Sequence, residues 1–154
     1  TASLFAAATK VGSIITNKEN KIKEAMEFYG KNLGLTFQIA DDTLDYNSEL
    51  KIFGKKIGND FYEGKITLPI ILLYQKATKD ERFELREIFK KQERNEIELK
   101  KVLTLIKKYN IISDCYKKAE YFINHSSNAL SVFENSREKD ILQNLTSFSL
   151  ERAF

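Results

Sequence analysis

The sequence predicts an all-α protein. Three observations carry this: one proline and six glycines interrupt 154 residues, apolar side chains recur at the 3.6-residue helical period, and no stretch alternates as a half-buried strand would. The length fits one domain, a single helical unit over residues 1–154, and the 42% hydrophobic content suffices for a buried core.

Residues 2–15 are apolar at Leu4, Ala7, Ala8, Val11 and Ile15, which predicts a helix with that side buried. Thr16 and Glu19 have capping-box spacing, so a second helix is expected from near Asn17, through Ile22, Ala25, Met26, Tyr29, Leu33 and Phe37, to about Tyr46. Gly30 and Gly34 lie one turn apart on it. Glycine costs about 1 kcal/mol in a helix interior, so a closely packed neighbouring backbone is the best reason for the pair. Residues 47–64, with Gly54, Gly58 and Gly64 among charges, read as the one long loop. Thr67 and Pro69 open the next helix, because proline is tolerated in a first turn, and the apolar run 70–74 predicts almost complete burial. Thr78 and Glu81 repeat the capping-box spacing and start a charged helix to about Lys91. Asn95 caps another to Tyr109, with Ile97, Val102, Leu105 and Ile106 inward, and helices over 112–133 and 138–150 complete the set.

Several functions are excluded. The longest apolar runs, such as 68–74, fall far short of the roughly 20 residues a membrane-spanning helix needs, and no signal peptide opens the chain. The net charge is +3 and the lysines alternate with glutamates, which describes a solvated surface and not a nucleic-acid footprint. A single cysteine, Cys115, allows no internal disulfide and suits a reducing cytoplasm; beside Tyr116 it reads as core, not nucleophile. His125 has no acid or cysteine at useful spacing and reads as a helix-surface residue. The chain opens on Thr1 where a Met would stand, so a cut amino terminus is expected.

The chemistry concentrates in residues 37–67. Asp41 and Asp45 are four apart and share a helix side, with Asp42 about 100° round from Asp41. Carboxylates at this spacing repel, more so beside Phe37, Ile39 and Leu44, and a bound cation would offset that. Oxygen donors with room left for water and phosphate suit Mg²⁺. A solvated helix end with scattered acids is the plain alternative. The following segment, Gly54-Lys55-Lys56-Ile57-Gly58-Asn59-Asp60 and then Gly64-Lys65, sets backbone amides freed by glycine beside ammonium groups, a combination that cradles phosphate; Asp60 is available to accept from a lysine or a metal-bound water. It is not a P-loop, since Ile66 follows Lys65 where a Ser or Thr is required. A plain surface turn is again the alternative.

Taken together, Phe37-Gln38-Ile39-Ala40-Asp41-Asp42-Thr43-Leu44-Asp45-Tyr46, Gly54-Lys55 through Gly58 to Asp60, and Gly64-Lys65-Ile66-Thr67-Leu68-Pro69 resemble the trans-polyprenyl diphosphate synthases, octaprenyl diphosphate synthase among them, in order and spacing. Thr1-Ala2-Ser3-Leu4-Phe5 resembles that family's Lys-Thr-Ala-x-Leu-Phe segment from just after its lysine. The clear resemblance covers residues 1–75. It implies the carboxy-terminal half of the isoprenoid synthase helical bundle and a prenyltransferase that condenses isopentenyl diphosphate head to tail with an allylic diphosphate. It further implies Mg²⁺ on Asp41, Asp42 and Asp45, as half of a trinuclear diphosphate clamp, with Lys55 and Lys65 neutralising the leaving diphosphate. Gln38 would face the carbocation and Thr1 would help hold the allylic diphosphate. The family carries a second aspartate-rich motif on a facing helix, and this sequence has none: Asp80, Asp114 and Asp140 are isolated. The implied state is half an enzyme, from a split gene, a truncated frame or a trimmed chain. It would be inactive until an amino-terminal half or another subunit of a homo- or hetero-oligomer completes it. The alternative is a non-catalytic helical partner or remnant of the same fold.

Overall fold

The computed structural model describes residues 1–47 and 57–151. Among these the chain is helical without strands: α1 Ala2–Ile15, α2 Asn20–Leu44, α3 Asn59–Glu63, α4 Leu68–Lys76, α5 Lys79–Lys90, α6 Glu96–Lys108, α7 Ile111–Ala129, a short 3-10 turn at Leu130–Val132, and α8 Arg137–Glu151. The chain falls into two compact units, Thr1–Ala40 with Tyr116–Phe154, and Asp41–Cys115.

In the first unit α1 lies against α2 at the paired glycines. A Cβ at Gly30 would sit 2.1 Å from Thr9 Oγ1 and 2.5 Å from the Phe5 carbonyl, and one at Gly34 would sit 2.8 Å from Ala2 Cα. Thr9 Oγ1 seals the contact by donating to the Met26 carbonyl at 2.6 Å. This close approach decides which side of α1 turns inward, and it is not the expected one. Small residues, Ala6 and Ser13, are buried, while Leu4 and Ile15 are 73% and 77% exposed and Val11 is also exposed. Bulky side chains cannot fit where backbones nearly touch, so the large apolar residues are left outward. We predict that Gly30→Ala costs about 2–3 kcal/mol by overpacking, read as a lower urea midpoint; an unchanged midpoint would show that the helices part easily.

The rest of this unit closes over Tyr29, Leu33 and Leu130, with Phe5, Met26, Phe133 and Leu142 around them. Tyr29 Oη donates to the Leu142 carbonyl at 2.9 Å and Ser126 Oγ to the Tyr29 carbonyl at 2.9 Å. Burial pushes the Tyr29 phenol up to about 12. His125 is half-buried and donates from Nδ1 to the Tyr121 carbonyl at 2.8 Å, its ring 4.1 Å from that of Tyr121. The second helix does not begin in the expected capping box. Thr16 instead terminates α1, its hydroxyl donating to the Gly12 carbonyl at 2.8 Å, and Asn17 turns the chain at φ 50° before α2 starts at Asn20.

In the second unit the local signals hold. Thr67 precedes α4 with Pro69 in its first turn, and complete capping boxes open α5 at Thr78/Glu81 and α6 at Asn95/Glu98. Glu81 also accepts from Lys108 Nζ at 2.7 Å and Tyr109 Oη at 2.6 Å, and these bonds hold its carboxyl down to about 2. Two burial expectations fail. In α4, Pro69, Ile70 and Leu73 are buried but Ile71 is 43% exposed; in α6 the buried stripe is Leu99, Val102 and Ile106, and Ile97 faces out. Each helix has one packed side, and a continuous apolar run cannot turn all of its members toward it. Cys115 is fully buried, which pushes its thiol up to about 11 and removes it from nucleophilic chemistry.

Candidate metal and phosphate site

α2 ends at Leu44, so the three aspartates occupy different settings: Asp41 is exposed on the last turn, Asp42 is half-buried, and Asp45, one residue past the helix, is only 3% exposed. The Asp45 carboxylate accepts the Asn59 amide at Oδ1 (3.2 Å) and the Asp60 amide at Oδ2 (2.8 Å), and its carbonyl accepts the Gly58 amide at 2.9 Å. A five-residue helix cannot persist by its own hydrogen bonds, and its first amides have no partner within the helix. Asp45 supplies that partner from 14 and 15 residues away.

The other end of α3 is held from α6's side. Arg94 Nε donates to the Phe61 carbonyl at 2.6 Å and Nη2 to the Tyr62 carbonyl at 3.3 Å, with the guanidinium 5.8 Å over the Phe89 ring. Gly64 ends the helix at φ 75°, a left-handed backbone that favours glycine, and a Cβ there would displace the Arg94 guanidinium, whose Nη2 lies 2.2 Å from its place. Lys65 follows, 57% exposed, donating to Glu63 Oε2 at 2.7 Å and Asp60 Oδ1 at 3.2 Å. The Glu63 bond first, and then Asp60, hold its ammonium proton well above the ordinary lysine range.

These bonds correct one expectation. In the described part of the segment the amides do not stand free for phosphate: Gly58, Asn59 and Asp60 donate to Asp45, Gly64 to Phe61, and Lys65 to Asp60. A carboxylate of the chain already occupies the place an external anion would take. Residues 54–56, and with them Lys55, lie outside the described residues.

Among the described residues no three carboxylate, imidazole or thiolate groups are arranged to hold a metal. Asp45 explains this, because its oxygens are turned to α3. The donor chemistry nonetheless fits Mg²⁺, which takes one or two carboxylates and completes its octahedron with water and substrate phosphate; Asp41 and Asp42 are the carboxylates that would serve.

The family model for polyprenyl synthetase matches residues 1–106. The chain belongs to the polyprenyl synthetase family. It is 32% identical over 152 residues to solanesyl diphosphate synthase 2, chloroplastic, of Arabidopsis thaliana, covering 99% of this chain and 35% of that protein. Among solved structures it is similar to a decaprenyl diphosphate synthase from Rhodobacter capsulatus (TM-score 0.91, 31% identity, 100% of this chain and 47% of that one). It also resembles a polyprenyl synthase from Caulobacter crescentus complexed with calcium and isoprenyl diphosphate (TM-score 0.90, 32% identity, 100% and 47%). The chain thus spans less than half the length of these relatives. The similarity runs the length of the chain, well past the residues 1–75 that carry the resemblance in sequence.

In this polyprenyl synthetase chain, Gln38 is half-buried three residues before Asp41 on α2, and Thr1 is exposed, its carbonyl accepting the Leu4 and Phe5 amides; both belong to the first unit. Arg94 went unmarked in the sequence, where it sits in a charged turn whose spacing gives no sign of carbonyl partners 32 and 33 residues back. Tyr46, the last residue of the aspartate motif and the expected end of the second helix, lies two residues past α2. It is 1% exposed, and its buried hydroxyl has the Thr67 hydroxyl beside it but completes no hydrogen bond of good geometry among the described residues. Burial first, then Asp45, Asp60 and Asp42, raise the phenol well beyond its usual range. An unsatisfied buried hydroxyl costs about 1–3 kcal/mol, so Tyr46→Phe is expected to leave stability unchanged or raise it by about 1 kcal/mol. A drop in the urea midpoint would show that the hydroxyl is bonded after all.

Proposed function

We propose that this chain is the carboxy-terminal half of a polyprenyl diphosphate synthase, a prenyltransferase joining isopentenyl diphosphate head to tail to an allylic diphosphate. The observation that carries the reading is the acidic end of α2 joined through Asp45 to α3 and Lys65, in a chain similar along its whole length to a synthase complexed with calcium and isoprenyl diphosphate. In the reaction the allylic C–O bond breaks, its electron pair leaving on diphosphate. The π pair of isopentenyl diphosphate forms the new C–C bond, and a proton is then lost. Asp41 and Asp42 would hold Mg²⁺, with Asp45 acting through water and by seating α3. Bound there, Mg²⁺ would supply positive charge against the departing diphosphate. Lys65 and Lys55 add ammonium charge to the same group, Gln38 presents its amide oxygen to the cation, and Thr1 helps hold the allylic diphosphate. Lys65 must exchange Glu63 and Asp60 for phosphate oxygens, which its exposure permits.

The reading includes a missing amino-terminal half, supplied by a separate chain or another subunit, and a cytoplasmic location. No helix among the described residues is long and apolar enough to cross a membrane. The test is labelled product from isopentenyl and allylic diphosphates. The chain alone should make none, and adding an amino-terminal half of a related synthase should restore it. Product from the chain alone would overturn the half-enzyme reading. Failure of every added half to restore product would favour the non-catalytic partner.

A further inference from the structure

A groove of about 560 Å³ opens between α4 and α5, its described lining running from Ile66, which follows Lys65, to Lys90, all in the second unit. Its volume lies within the ~300–1,000 Å³ common for ligand pockets. Ile70 and Leu85 form a buried floor, and Ile66, Ile71 and Phe89 rise from it as exposed or half-exposed walls. Among the described residues no carboxylate lines it, and the charged lining groups are Arg86 and Lys90, one turn apart on α5. Arg86 is held 5.3 Å over the Tyr74 ring and, among the described residues, makes no ion pair, while Lys90 pairs at 2.7 Å with Glu87 on the same exposed face. An apolar trough beneath a stacked guanidinium suits a ligand with one long hydrocarbon chain and an anionic, bidentate head, since the guanidinium fork matches phosphate oxygens.

We infer that the α4–α5 groove binds a linear prenyl diphosphate, its chain along Ile66, Ile70 and Ile71 and its head at Arg86, without help from Asp41, Asp42 or Asp45. The choice of a prenyl chain rests on the proposed synthase reading. Because the head is met by guanidinium and ammonium, binding here needs no divalent cation, which separates it from the aspartate site.

The experiment is titration of this chain with a fluorescent farnesyl diphosphate analogue in EDTA. Saturable binding is expected. It should be displaced by unlabelled farnesyl diphosphate but not by inorganic diphosphate or oleate, and should be weakened at least tenfold in Arg86→Glu and in Ile71→Asp. Both positions are exposed, and circular dichroism is the check that the variants fold; Arg86→Lys should keep part of the affinity. Asp41→Ala should bind as the unaltered chain does. Loss of binding in EDTA or in Asp41→Ala would overturn the inference while leaving the proposed synthase site intact. Displacement by oleate as readily as by farnesyl diphosphate would overturn the prenyl assignment. A dimer that Ile71→Asp dissociates, without any probe binding, would give the groove to a second copy. Should probe binding hold while no amino-terminal half restores product, the proposed catalytic function fails and the groove stands.

Discussion

Asp41→Ala, assayed together with a complementary amino-terminal half, is expected to lower product formation by about 10³-fold, roughly 4 kcal/mol of transition-state stabilisation, while the urea midpoint of the chain stays put. The two halves of that expectation have one cause. Asp41 is exposed on the last turn of α2, and surface substitutions change stability by only about 0.5 kcal/mol. In the proposed site its charge would face the cation, where a lost carboxylate is felt when diphosphate charge develops and not before. The measurement is kcat at saturating Mg²⁺, with the midpoint recorded in parallel. A variant retaining more than a tenth of the activity would remove Asp41 from the metal site and shift the weight to Asp42.

How far the sequence disclosed this molecule depended on the distance over which each signal acts. The boxes at Thr78/Glu81 and Asn95/Glu98, and Pro69 in a first turn, are settled within four residues, and all three formed as read. Thr16 and Glu19 have the same spacing, yet Thr16 closes the helix before it, because a hydroxyl can turn back to the carbonyl four residues behind as readily as forward. Gly30 and Gly34 correctly announced a close neighbour, but not that the neighbour would present its small residues and leave Leu4 and Ile15 outside. In the site, the acidic cluster was plain from spacing. The fate of Asp45 was not, because its partners lie in a stretch that reads as irregular loop and where only the folded chain shows a helix. Arg94 was further still from view, its carbonyls lying some thirty residues away on an element the sequence did not announce.

That difference between neighbouring aspartates yields the larger stability effect. Asp45→Ala is expected to cost about 3–5 kcal/mol, since two amide bonds to a charged acceptor are lost at about 1.5–3 kcal/mol each and the Asn59 and Asp60 amides are left partly buried without a partner. With its first two amides released, the five-residue α3 keeps the Gly58 bond to the Asp45 carbonyl, Arg94 and the buried Phe61, so amide exchange across Asn59–Glu63 should rise together with the fall in urea midpoint. Asp45→Asn keeps one acceptor oxygen and should lose about half as much. The direction of the change separates the two roles Asp45 could have. Were it solely a cation ligand, removing it without metal would relieve like-charge repulsion with Asp41 and Asp42, and the midpoint would hold or rise. A large fall in EDTA, with α3 amides exposed, shows instead that the third aspartate works first as the internal anion seating the helix that carries Asp60 and leads into Lys65. Activity lost in this variant is then a loss of position, and Lys65 bears it along with the metal.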